Sequence, residues 1–293
     1  MAPDLGRIGI WTATLDALEV PAAREAVAEL DSQGWGSLWF GEAYGREAFT
    51  AAQLYLGASS RLVVGTGIAN IYGRDAVTTG AAARTLNAAY PERFILGLGV
   101  SHAPLVERMR GHNYGRPVAA MSEYLDALDA APYMVAGAPA LPVRVLAALG
   151  PRMLELARDR ADGAHPYLVT SEHTASAREL LGPDRLLVVE QAAVLAEDED
   201  SWRERAHAHL EIYSGLPHYR NSWLRQGFLE EDAVRGGSER LKRALVPRGL
   251  EQVSARVREH LDAGASTVLV QVLGAHVAEA PKADWARLAE ALL

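Results

Sequence analysis

Short apolar runs, most of them bounded by glycine, alternate along this chain with longer stretches whose apolar residues recur every three or four positions. The short runs read as buried parallel strands and the longer stretches as helices packed outside them. Ile8–Trp11 is the first strand, and Pro21 then opens a helix carrying Ala22, Val27 and Leu30 that closes near Gly34. Further strands are expected at Ser37–Phe40 and at residues 62–68, 94–100, 143–149, 164–168, 186–195 and 266–273, each followed by a helical stretch. Eight strand–helix units predict an α/β fold, a (β/α)8 TIM barrel.

One span breaks the rhythm. Residues 199–248 are helical in pattern and charged, and no strand appears among them. They read as a helical insertion after strand seven, on the mouth side of one barrel domain covering residues 1–293, not as a second domain.

Composition narrows the classes. The 293 residues are 49% hydrophobic, enough for a large core, and include no cysteine. Disulfides, thiolate metal sites and a cysteine nucleophile are thereby excluded, which fits a cytoplasmic protein. No run approaches the roughly 18 apolar residues of a membrane span, and the N-terminus lacks a signal-peptide pattern. A net charge of −8 with scattered Lys and Arg argues against nucleic acid as a partner.

In a barrel, chemistry sits where strands end and loops begin at the C-terminal face. Those positions carry Trp11, Glu42, Asn70, Ser101, His102 and His165, and a turn made of Gly150, Pro151, Arg152 and Met153. A strand ending in glycine with proline at the first helical position aims free N–H groups at the mouth, and Arg152 adds a fork suited to phosphate. The same residues also describe an ordinary strand-to-helix turn. Gly65 and Gly67 inside strand three mark either a close approach to a ligand or tight packing at the barrel centre. Glu42 is a candidate acid or base, with Arg46 and Glu47 nearby in sequence and an ion pair as its alternative. His102 and His165 are candidate proton carriers.

Several chemistries are absent. No GxGxxG opens the first helix, and there is no GxxxxGK[ST], HExxH or GxSxG. The histidines are not spaced as metal ligands, so no metal is expected. A barrel hydrolase or aldolase would need paired carboxylates or a Schiff-base lysine at the mouth. Only Glu42 lies there, and Lys242 and Lys282 do not follow strands.

Three segments, VVGTGIANIYGRD, PERFILGLGVSHAPLVE and RVLAALGPRMLELARDRADGAHPY, resemble the luciferase-like monooxygenase superfamily, most closely its actinobacterial group of coenzyme F420-dependent oxidoreductases. The resemblance extends over nearly the whole chain. It implies a barrel that holds a tricyclic deazaflavin (F420) or, as the alternative, the flavin FMN, and that acts on a small organic substrate. It places a non-prolyl cis peptide at Gly67–Ile68 behind the ring and a phosphate at Gly150, Pro151, Arg152 and Met153. Trp11, Gly67, Ile68, Ala69, Asn70, Val100 and Ser101 complete the expected cofactor contacts, with Glu42, His102 and His165 as catalytic candidates.

Two departures from the family pattern bear on chemistry. The turn after strand five lacks the Ser or Thr hydroxyls of flavin-using members, which favours the deazaflavin. Where many members have His after the strand-two Glu, this chain has Ala43, so Glu42 or a histidine elsewhere must handle the proton. The non-catalytic alternative is a barrel that only binds or stores a cofactor. Members of the superfamily are commonly dimers, so a homodimer is expected.

Overall fold

The computed structural model describes residues 3–137, 139–276 and 278–293. Nine parallel strands form one sheet: β1 (Ile8–Trp11), β2 (Ser37–Phe40), β3 (Val63–Thr66), β4 (Ala69–Asn70), β5 (Phe94–Gly99), β6 (Arg144–Ala147), β7 (Gly163–His165), β8 (Leu186–Ala193) and β9 (Thr267–Val272). β1 pairs with β9, and β3 and β4 both pair with β5, so the sheet closes on itself. The Gly67–Ile68 peptide is cis and divides the third of eight staves into β3 and β4. The expected (β/α)8 barrel is the fold.

Helices α1 (Val20–Gln33), α2 (Ala48–Leu56), α3 (Ala76–Ala89), α4 (Pro117–Asp129), α5 (Pro151–Arg160), α6 (Ser171–Leu181), α10 (Gly249–Asp262) and α11 (Lys282–Leu292) surround the sheet. Their starts follow local chemistry. Glu47 caps α2 by accepting from Phe49 N and Thr50 N, Asp75 caps α3, and α4 and α5 begin at proline. Strand β7 ends at His165 instead of running to residue 168, because Pro166 cannot donate to a ladder. After β5 the chain forms a π-helical turn at Pro104–Met109, which the hydrophobic pattern does not announce.

The period of two along each strand sorts residues into two cores. Outward residues such as Ile10, Leu38, Val64, Leu96 and Val270 pack beneath the helices. Inward ones, among them Trp11, Trp39, Val63, Ile95, Val188 and Leu269, fill the barrel. Glycines make room for the large rings inside: a Cβ on Gly65 would stand 2.5 Å from the Trp39 indole. Of the two readings of Gly65, packing at the barrel centre is the one observed.

The insertion folds as α7 (Glu199–Ser214), α8 (Pro217–Arg225) and α9 (Glu239–Leu245). Trp202, Leu210, Tyr219, Trp223 and Leu241 on these helices join the same apolar cluster as the barrel interior. The insertion therefore covers the mouth and shares the barrel's core. Trp223 Nε1 donates to Leu168 O and Thr170 N donates to Gln226 Oε1, fixing α8 over the loop after β7.

Candidate active site at the barrel mouth

A cavity of about 760 Å3 opens at the C-terminal ends of the strands. Its floor is Trp11, Gly67, Ile68, His165 and Tyr167, and one wall is Val100, Ser101 and His102. Gly150, Pro151, Arg152 and Met153 line the opposite side, and the roof comes from Tyr213, Leu216, His218 and Tyr219 of the insertion. The lining is mostly apolar with a few polar atoms converging on it, the usual character of a small-molecule site.

Two buried nitrogens on the floor have no partner: Trp11 Nε1 and His165 Nε2. Both crowd Gly67, since a Cβ there would meet them at 2.5 and 2.9 Å. Gly67 is thus the strand-three glycine that serves the site, and Gly65 below it serves packing. His165 Nδ1 lies 2.8 Å from Val188 O. A carbonyl can only accept, so Nδ1 carries the proton and the buried Nε2 keeps an unpartnered lone pair beside Gly67. Desolvation pushes the His165 pKa down to about 4, keeping this ring neutral near pH 7.

On the wall, burial, with a smaller contribution from His218, lowers His102 to about 4. Its Nδ1 is buried and unpartnered. His218 Nε2 is 2.7 Å from Tyr114 Oη, and that hydroxyl is 3.0 Å from Ser101 O. Through Tyr114, α8 is tied to the loop after β5, so roof and wall hold one another.

At the α5 end, no side chain caps the helix. Met153 N and Leu154 N are both bonded to Gly150 O at 3.1 Å, and Pro151 has no N–H. Fewer free amides face this corner than a bare helix start would offer. Cationic side chains make up the difference: Arg152 lines the cavity, and Arg225 reaches from α8 to within 3.3 Å of Leu149 O. A Cβ on Gly150 would stand 3.4 Å from the Arg225 guanidinium.

Comparison with known proteins agrees with this geometry. The family model of the luciferase-like monooxygenases matches residues 7–267. The chain belongs to this family. A Mycobacterium tuberculosis protein assigned as a coenzyme F420-dependent oxidoreductase is 32% identical over 102 residues, 35% of this chain and 29% of that one. The 5,10-methylenetetrahydromethanopterin reductase of Methanolobus tindarius is 25% identical over 208 residues, 62% of this chain and 63% of that one. The chain thus spans under a third of the first relative and just under two thirds of the second. Among solved structures, an F420-dependent secondary alcohol dehydrogenase in complex with an F420–acetone adduct superposes with a TM-score of 0.74 at 12% identity, covering 94% of this chain and 95% of that one.

In this luciferase-like barrel most of the expected site residues converge. Trp11, Gly67, Ile68, Val100, Ser101, His102, His165 and the Gly150–Pro151–Arg152–Met153 turn all line the cavity. Ala69 and Asn70 do not. Ala69 packs in the outer core, and Asn70 N donates to Glu42 Oε2 at 2.8 Å.

Glu42 touches the cavity but is not a free carboxylate. Arg74 closes an ion pair on it, and Ala48 N and Asn70 N also donate to it. Its cation is Arg74, not the sequence-adjacent Arg46, which instead reaches Asp16 and the carbonyls of Leu15 and Leu18. Glu42 thus holds Asn70 and the start of α2 together.

Sequence reading gives Tyr213, Tyr219, Trp223 and Phe228 as the insertion's own packing surface or a lid over the mouth, and Tyr213 and Tyr219 do line the cavity. It missed His218 and Arg225, which lie on a helix whose inner face is defined only once it docks on the barrel. It also missed Glu190, which the alternation of β8 does turn inward. Glu190 Oε2 accepts from Leu168 N at 3.0 Å, Oε1 has no partner, and burial raises its pKa to about 8.

Proposed function

We propose that this chain is a deazaflavin (coenzyme F420)-dependent oxidoreductase that transfers a hydride between the cofactor and a small organic substrate. The observation that carries the reading is a single cavity joining a cationic corner at the start of α5 to a floor of unpartnered polar atoms over Gly67. A phosphorylated tricyclic cofactor has this bipolar form. The unpartnered nitrogens and the two arginines supply donors and an acceptor where such a group needs them, so the residues fit it. When bound, the deazaflavin supplies the two-electron redox centre.

The chain's own residues bind, orient and exclude water. Arg152, Arg225 and the α5 turn hold the phosphate. Gly67 and Ile68 back the ring, and Val100 and Ser101 flank it. The tyrosines of the roof close off bulk water, which strengthens every polar contact beneath them. Neutral histidines at the floor and wall are placed to accept or relay a proton. The turn's lack of hydroxyl side chains, and the name of the Mycobacterium tuberculosis relative, support a deazaflavin over FMN.

Titration of the purified protein with F420 and with FMN, followed by fluorescence, tests the assignment. Saturable F420 binding with FMN at least tenfold weaker is expected. Tight FMN binding without F420 binding would overturn it.

A further inference from the structure

We propose that His218, on the roof, is a specificity-determining residue: its Nδ1 reads a hydrogen-bond donor, an O–H or N–H group, on an otherwise apolar substrate. The inference rests on the redox reading above and names the substrate class for it.

The tautomer of the ring follows from its neighbours. Ser101 O can only accept, so the single hydroxyl hydrogen of Tyr114, 3.0 Å away, points to that carbonyl. The Tyr114 oxygen then accepts from His218 Nε2–H at 2.7 Å. Burial, with a smaller contribution from Arg225, lowers the His218 pKa, so the ring holds one proton and holds it at Nε2. Nδ1 keeps a lone pair and, among the described residues, has no hydrogen-bond partner. His218 is half-buried and lines the cavity, so this nitrogen is open to it, unlike the buried nitrogens of the floor.

The backbone keeps this arrangement in place. Ser101 has φ +55°, a left-handed conformation that a non-glycine residue holds only where its surroundings impose it. Its carbonyl is the one that orients Tyr114, so Ser101 and Tyr114 are positioning residues that act through His218. The space beside the imidazole is walled by rings: His102 stands 6.2 Å from His218 and 5.6 Å from Tyr219, centroid to centroid. Leu105, Val118 and Leu216 add apolar surface to the same cavity. A molecule that is apolar except for one donor satisfies both the walls and the lone pair, whereas one without a donor leaves Nδ1 dehydrated and unpaired.

Two measurements test the assignment. In protein without cofactor, imidazole 15N shifts at pH 7 are expected to show His218 neutral and protonated at Nε2; a proton at Nδ1 overturns the proposal. This arm needs no cofactor, so a failure of F420 to bind would defeat the redox reading separately. The second arm compares phenol with anisole, and pyrrole with 1-methylpyrrole, in protein loaded with F420. Methylation adds apolar area and by itself favours binding. The donor-bearing member is nevertheless expected to bind about fivefold tighter. A preference in one pair alone supports the proposal and names the donor as hydroxyl or N–H. His218→Phe removes the preference while keeping a ring in the roof. In Tyr114→Phe the Nδ1–H tautomer appears in the 15N spectrum and the preference shrinks with it. Methylated probes that bind as tightly as their parents in the wild-type protein, or a preference that survives in His218→Phe, overturn the proposal.

Discussion

Arg74, just ahead of α3, closes a buried ion pair on Glu42 at the end of β2, linking two loops 32 residues apart in sequence. Glu47, the N-cap of α2, lies 3.0 Å from the same guanidinium. The carboxylate that sequence position offers as a catalytic group also acts as a clamp. It anchors the first residues after the cis peptide and the first turn of α2 at once.

Breaking that clamp from one side leaves a carboxylate buried without its cation. Arg74→Met is expected to lower unfolding free energy by about 3–5 kcal/mol, read as a shift in denaturant midpoint. A change below about 1 kcal/mol would mean that water screens the pair as it does at a surface.

The frame of the fold was legible in sequence, and the reasons are local. Apolar runs bounded by glycine end near the residues that reach the mouth, so Trp11, Val100, His102 and His165 could be placed from strand ends alone. Contacts set by long-range approach could not. Nothing near Glu42 in the chain announces Arg74, and nothing in the pattern of residues 199–248 says which helix faces will look down on the cavity. Arg225 reads as an ordinary surface arginine until α8 docks beside Leu149. Glu190 sits in the run LLVVEQAA, where the apolar neighbours signal a strand and the period of two alone places its side chain inside the barrel.

Gly65 and Gly67 are two residues apart and have different work. Gly65→Ala forces a methyl group against Trp39, so a loss of about 1–3 kcal/mol in stability is expected from overpacking. Its cofactor affinity should match that of the unaltered protein once folded, because Gly65 does not line the cavity. Unfolding and binding measured on the same preparation separate the two effects.

Stability should fall on both sides of neutral pH. His165 and His209 are held down to about 4 and His260 to about 3, all by burial. Their neutral forms stabilise the fold above the unfolded value of about 6.5, and this is lost as pH falls through the folded values. Glu190 runs the other way. Its pKa is raised from 4.5 to about 8, so its contribution is complete below the unfolded value and lost as pH rises through about 8. Glu190→Gln is therefore expected to gain stability relative to wild type steadily from about pH 4.5 to 8, as the proton linkage requires. A pH-independent difference in chemical unfolding would show that the Glu190 carboxyl ionises normally.

Gly150→Asp separates the helix from the ligand at the cationic corner. Aspartate is a favourable N-cap for α5 and would stand beside Arg225, so melting temperature should hold or rise. The same carboxylate opposes a phosphate, and cofactor affinity should drop at least about tenfold. Unchanged affinity would remove this turn from the site.

The central claim is that the α5 turn and Arg225 hold the phosphate of a tricyclic cofactor whose ring lies over Gly67. It is tested most directly by fluorescence titration with the deazaflavin chromophore carrying its phosphate and with the same chromophore lacking it. The phosphorylated form is predicted to bind at least about tenfold tighter, with the advantage largely lost in Arg225→Ala. Equal affinity of the two forms in the wild-type protein, or no binding of either, would contradict the account.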